Sequence, residues 1–251
     1  MLMNAIESWD ERRNYFIAGS ENETIAFAVE HWIHTAQRSI QQRGRFAVAL
    51  SGGSTPKAIF ESLATTQSQT LDWSKVWLFW SDERSVPPDH AESNYHMAMQ
   101  SGFAKLSIPP GQIFRMKAEA NLEKNALDYE EKIRHLLGKH GFDLVMLGVG
   151  EDGHTASLFP HTQALQIQDR LAVPNFIPEK KAWRMTLTFY CINSSYAIAI
   201  YALGKSKQMI VPKVLDAAIE SAYPASRIGT AEHKALWILD QEAGKLLDKS
   251  E

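Results

Sequence analysis

The run Leu144-Val-Met-Leu147 is wholly apolar, closed on one side by Asp143 and on the other by a loop carrying Gly148, Gly150 and Gly153. It is too short for a buried helix and reads as a strand covered on both faces. Phe46 to Leu50 and Val76 to Trp80 have the same character, and each runs straight into a polar loop. Strands buried on both faces belong to parallel sheets with helices above and below, which restricts the chain to an α/β class. Such sheets bind ligands outside the carboxyl ends of their strands, so function is expected in the loops after these runs.

The stretches between supply the helices. After a short strand at Tyr15 to Ala18, Ser20 and Glu23 form a capping-box pattern that opens a helix to about Gln42. Thr55 suits an N-cap with Pro56 at the first helical position. A helix begins at Ser93, and Ile113 to Met116 is expected as a short strand. Leu122 to Leu137 is amphipathic, with Leu127, Ile133, Leu136 and Leu137 expected inside. Beyond Pro160, three short strands are expected at Leu171 to Val173, Met185 to Tyr190 and Tyr196 to Tyr201. A helix at Ser206 to Ala218, a strand at Ala235 to Leu239 and a helix capped by Asp240 follow. The expected architecture is a mostly parallel, doubly wound, Rossmann-like sheet flanked by helices, with a smaller antiparallel portion in the C-terminal half. It forms a single domain over residues 1–251.

Composition narrows the partners. A chain of 251 residues, 45% of them hydrophobic, can bury a large core. A net charge of −3 with interspersed signs gives no reason to expect nucleic acid or a membrane. The first residues lack a charged region followed by an apolar one, and the longest apolar run, Tyr196 to Leu203, is too short to span a bilayer. With Cys191 as the single cysteine, no intramolecular disulfide is possible, and a reducing cytoplasm is the expected compartment. His31 and His34 lie three apart on the first helix, but no third ligand is near them, and they read as a polar helix face rather than a metal site.

The loops carry the chemistry. Ser51-Gly-Gly-Ser-Thr-Pro56 joins a strand to a helix N-terminus, where exposed backbone N–H groups, hydroxyls and the helix dipole favour a phosphate. It lacks the spacing of a Walker loop. Asp82, Glu83 and Arg84 follow the strand at Val76 to Trp80, again at a carboxyl end. Gly148-x-Gly150-x-x-Gly153 formally matches a dinucleotide fingerprint. That fingerprint needs a long helix starting among its glycines, and Pro160 leaves room for only about two turns. What remains is a histidine, His154, able to act as a base near neutral pH, with Asp152 two residues before it.

Three segments, Ser51-Gly-Gly-Ser-Thr-Pro56, Ser81-Asp-Glu-Arg-Ser-Val-Pro87 and Gly148-Val-Gly-Glu-Asp-Gly-His-Thr-Ala-Ser-Leu-Phe-Pro160, resemble in sequence, order and spacing the 6-phosphogluconolactonase family. The resemblance extends over nearly the whole chain. The sister glucosamine-6-phosphate deaminases share the first segment and the Asp-Gly-His core. They carry a glutamate five residues after the histidine, where this chain has Phe159, and a tyrosine where it has Arg84. The resemblance implies hydrolysis of 6-phospho-D-glucono-1,5-lactone without metal or cofactor. His154 is the expected general base and Asp152 its support, with the amides of their turn as oxyanion donors. Gly52, Gly53, Ser54, Thr55, Asp82 and Arg84 are expected to bind substrate. Arg184 and either Lys207 or Lys205 match the later cationic phosphate contacts by position. The alternatives are a deaminase-type isomerase, in which Asp82 would shuttle a proton between carbons, and a catalytically silent sugar-phosphate-binding module. The only partner implied is the small sugar-phosphate lactone, acted on by a monomer or weak homodimer.

Overall fold

The computed structural model describes residues 5–138, 141–217 and 222–247. Ten strands and seven α-helices are described: β1 (Glu7–Ser8), β2 (Arg13–Ile17), α1 (Glu21–Arg43), β3 (Phe46–Leu50), α2 (Ser54–Thr66), β4 (Val76–Trp80), β5 (Asp82–Arg84), α3 (Asn94–Gln100), α4 (Leu122–Leu137), β6 (Leu144–Gly148), β7 (Ala172–Ile177), β8 (Ala182–Leu187), α5 (Phe189–Asn193), β9 (Ile198–Ala202), α6 (Ile210–Leu215), β10 (Ala235–Leu239) and α7 (Gln241–Gly244).

The main sheet has the order β1-β2-β10-β9-β6-β3-β4 and is parallel except for the β1–β2 pair. Its inner strands β3, β9 and β10 are buried at every residue, because helices cover both faces. The strand order reverses between β3 and β6: the chain goes from β3 outward to β4, then returns to β6 on the other side. A crevice opens at the carboxyl end of such a reversal, because the two connections leave in opposite directions.

A second, three-stranded antiparallel sheet of order β5-β8-β7 stands at that end. It draws β5 from the first half of the chain, so the antiparallel portion is not confined to the C-terminal half. The charged segment after β4 is therefore a paired strand rather than a loop.

Several local expectations need correction. Helix α2 starts at Ser54 with Gly53 as N-cap at φ 109°, a left-handed conformation that glycine adopts at little cost, so Thr55 and Pro56 lie inside the first turn. Ile113 to Met116 is not a strand: only Ile113 bridges to β4, and Phe114 N–H donates to the Leu78 carbonyl at 2.8 Å. The run Met185 to Tyr190 breaks at Leu187, where Thr188 caps α5 by accepting from Cys191 N–H. The strand expected from Leu171 extends to Ile177, and that expected from Tyr196 begins at Ile198. Ser206 to Ala218 divides into a 3₁₀ turn, Lys205–Lys207, and α6; Ala218 lies outside the described residues. Leu127 is 47% exposed rather than inside. Among the described residues no helix is long and apolar enough to cross a membrane.

Candidate active site

The loops after β3, β6 and β9 and the edge of the small sheet enclose a cavity of about 210 Å³ at the switch point. Gly52 and Gly53 line it from the first loop, Asp82 and Arg84 from β5, and His154 from the loop after β6. Arg184 reaches it from β8 and Lys207 from the turn after β9. Ser54 and Thr55 are not on its wall; they form the first turn of α2 behind it. Lys205 is exposed beside a separate depression with Glu151, so the turn presents Lys207 to the cavity.

The glycines after β6 make room for a histidine–carboxylate pair. His154 Nδ1 lies 2.6 Å from Asp152 Oδ1, and the same oxygen accepts from His154 N–H at 3.1 Å. A Cβ on Gly150 would lie 2.0 Å from His154 Nδ1 and 2.5 Å from that oxygen, so only glycine permits the arrangement. Burial would raise the Asp152 pKa, but the hydrogen bond and charge of His154 outweigh it, and the pKa is lowered below its ordinary value of 3.8. The carboxylate is thus ionised at neutral pH and accepts the Nδ1 proton, which leaves Nε2 as the basic nitrogen. The other face of the geometry is Phe159, whose ring stacks on the imidazole at 3.8 Å between centroids and 14° between planes. No helix follows the glycines: residues 149–162 are turns with one isolated bridge, which removes the dinucleotide reading. Three of the turn's own amides are engaged within it. Gly150 N–H donates to the His154 carbonyl and Gly153 N–H to the Gly150 carbonyl, while His154 N–H is held by Asp152.

Two cations face each other across the small sheet. Arg84 and Arg184 are directly opposite in the β5–β8 ladder and both line the cavity. Like charges in such a pair repel; Asp82 offsets this at Arg184, and an anion in the cavity would offset it further. Burial lowers the Arg184 pKa; Asp82 opposes this and Arg84 adds to it. The Arg184 guanidinium also lies 5.7 Å from the centre of the Phe159 ring. One aromatic ring therefore meets both the base and a cation.

Asp82 is held on every side. Its Oδ2 accepts from Ser157 Oγ at 2.5 Å and stands 3.8 Å from Arg184 Nη1, and its Oδ1 accepts from Asn94 Nδ2 at 3.1 Å. Asn94 and Ser157 were not singled out from sequence. Ser157 lay unremarked within the motif of the third loop, and Asn94 followed a residue read only as a helix start. A polar residue directly after the N-cap Ser93 is the available signal for Asn94.

Fold and site together define an open α/β-sheet protein with a cation-lined crevice and a histidine–carboxylate pair at the switch point. The sequence matches the family Glucosamine-6-phosphate isomerases/6-phosphogluconolactonase over residues 19–237. It is 40% identical to the 6-phosphogluconolactonase of Chlamydia pneumoniae over 89% of this chain and 86% of that one. It is likewise 40% identical to that of Chlamydia muridarum over 98% of this chain and 95% of that one. The 6-phosphogluconolactonase structure from Trypanosoma cruzi superposes with a TM-score of 0.85 at 28% identity, covering 96% of this chain and 98% of that one. A monomeric glucosamine-6-phosphate deaminase superposes with a TM-score of 0.78 at 22% identity, which shows a shared fold alone. The chain belongs to the glucosamine-6-phosphate isomerase/6-phosphogluconolactonase family.

Proposed function

We propose that the chain hydrolyses 6-phospho-D-glucono-1,5-lactone to 6-phospho-D-gluconate in the oxidative pentose phosphate route. The observation that carries this reading is the His154–Asp152 pair stacked on Phe159, a base oriented for one proton transfer. Nε2 of His154 takes a proton from water as its oxygen attacks the C1 carbonyl. The tetrahedral adduct then expels the ring oxygen, and the imidazolium returns the proton to it, so one water is consumed and the base is restored. General base help of this kind is typically worth about 10²–10⁴-fold. Arg84, Arg184 and Lys207 grip the phosphate. The N–H groups of Gly52 and Gly53, which donate no hydrogen bond among the described residues, add donors at the positive end of α2.

Two features favour hydrolysis over isomerisation. Phe159 stands where the deaminases place the glutamate that holds their histidine, and here an aromatic ring stacks on His154 in its stead, leaving Asp152 as the imidazole's carboxylate partner. Asp82, which would have to move a proton between carbons, also already accepts a side-chain hydrogen bond on each oxygen and faces the Arg184 guanidinium. The same reading makes the chain one domain, working in the cytoplasm as a monomer or weak homodimer. The deciding assay offers the enzyme fresh lactone and glucosamine 6-phosphate in parallel. Lactone loss well above the spontaneous rate without ammonia release is expected; ammonia release with no acceleration of lactone loss would overturn the assignment.

A further inference from the structure

We propose that Asn94 is a specificity-determining residue whose Oδ1 accepts a hydrogen bond from a ring hydroxyl of the bound substrate. The inference rests on the lactonase reading and adds the part of the sugar that the cations cannot recognise.

The orientation of the Asn94 amide is fixed by its neighbours. Its Nδ2 donates twice to Asp82, to the backbone carbonyl at 2.9 Å and to Oδ1 at 3.1 Å. Turning the amide over would set its oxygen against two acceptors, so both N–H bonds are committed and the carbonyl oxygen must point the other way. That oxygen lies over Gly52: a Cβ there would be 1.9 Å from Asn94 Oδ1 and 3.0 Å from Nδ2. Gly52 and Asn94 both line the cavity, and among the described residues nothing donates to this oxygen. Asn94 is only 2% exposed, so its Oδ1 is a nearly buried acceptor at the wall of the cavity that also holds His154.

The backbone beneath it is held as firmly. Glu83 Oε1 accepts from the N–H groups of Arg84 and Asn94, both at 2.8 Å. Its Oε2 accepts from Ser93 Oγ at 3.0 Å and Tyr95 N–H at 2.8 Å. The first turn of α3 is thereby fastened to β5, the strand that carries Asn94's own partner Asp82. Glu83 is a positioning residue for this acceptor.

The chemistry of the wall says what the acceptor takes. Arg84, Arg184, Lys207 and the loop amides are donors and suit phosphate and carbonyl oxygens. Asp82 also lines the wall, but each of its oxygens already accepts a side-chain hydrogen bond, whereas Asn94 Oδ1 accepts none among the described residues. A phosphate oxygen would be repelled there. A neutral sugar hydroxyl is the donor that fits, and its absence would leave the buried carbonyl unpaired.

The test uses lactones of 2-deoxy-, 3-deoxy- and 4-deoxy-6-phosphogluconate beside the parent, with wild type, Asn94→Ala and Asn94→Ser, each checked by circular dichroism. Wild type should lose about 10-fold or more in kcat/KM on one of the three deoxy substrates. Asn94→Ala should be slower on the parent yet show no further loss on that same substrate, while its penalties on the other two stay as in wild type. Asn94→Ser, too short to reach, should behave alike and serves if the alanine variant does not fold. Deoxy penalties that are identical in variant and wild type would reduce Asn94 to a structural support of Asp82 and overturn the proposal. So would a wild type indifferent to all three deletions, a result that needs no variant. Failure of wild type to accelerate hydrolysis of the parent lactone would instead sink the lactonase reading itself.

Discussion

Arg84 and Arg184 are like charges directly opposite each other in the β5–β8 ladder, an arrangement that a bound phosphate would relieve. Replacing Arg84 by alanine should raise KM about tenfold or more while leaving the thermal midpoint of the unliganded protein unchanged or higher. Saturating 6-phosphogluconate, which at 100 times Kd adds about 2.7 kcal/mol to wild type, should stabilise the variant much less. Equal ligand-induced shifts in a melting assay would place the phosphate elsewhere. At this scale the base was legible in the sequence because its partner is two residues away: Asp152 and His154 share one turn, and Gly150 between two other glycines marks the space they need. The supports of Asp82 were not legible. Asn94 is 12 residues from it and Ser157 is 75, and only the tertiary fold, with Glu83 fastening α3 to β5, brings the three together.

The elements that hold the small sheet against the main one show the same division. Glu130 on α4 accepts from Arg134 at 2.7 Å, from Arg170 at 2.7 Å and from Leu171 N–H at 3.1 Å, just before β7. Burial would raise its pKa, but the two arginines and the amide outweigh that and hold it below 4.5. A depressed carboxylate stabilises the fold above its unfolded pKa and ceases to do so as pH falls through the folded one, so this clasp weakens below about pH 4.5. Glu130→Ala should cost about 1–3 kcal/mol at pH 7 with kcat nearly unchanged, and its urea midpoint should vary less with pH on the acid side. Parallel acid limbs for variant and wild type would show that Glu130 is not the clasp. The long apolar and amphipathic runs announced their elements. The misread ones were decided by single local features: the Thr188 cap that turns Phe189-Tyr-Cys-Ile into helix, and the positive-φ glycine at which α2 starts early.

For the whole molecule, the parallel order and the position of the crevice followed from strands buried on both faces, whereas the second sheet did not. Its strand β5 is three charged residues with no apolar pattern, and pairing with β8 alone makes it a strand. The global core also contains a titration that the active site does not use. His31 on α1 is nearly fully buried, its Nδ1 has no hydrogen-bond partner among the described residues, and burial together with nearby His34 pushes its pKa down to about 4. Between pH 6.5 and 4 the unfolded chain binds a proton that the folded one refuses, so stability falls as pH drops through that window, by on the order of 3 kcal/mol across it. His31→Phe should flatten that decline in urea melts; an unaltered decline would assign it to other groups. Above all, the account makes the molecule a scaffold that aims one imidazole nitrogen at a lactone carbonyl. The most direct measurement is turnover of freshly generated 6-phosphogluconolactone, followed by NMR, for wild type and a folded His154→Ala variant. The account predicts a fall in kcat of about 10²-fold or more with KM little changed. A variant that hydrolyses the lactone at close to the wild-type rate would contradict it.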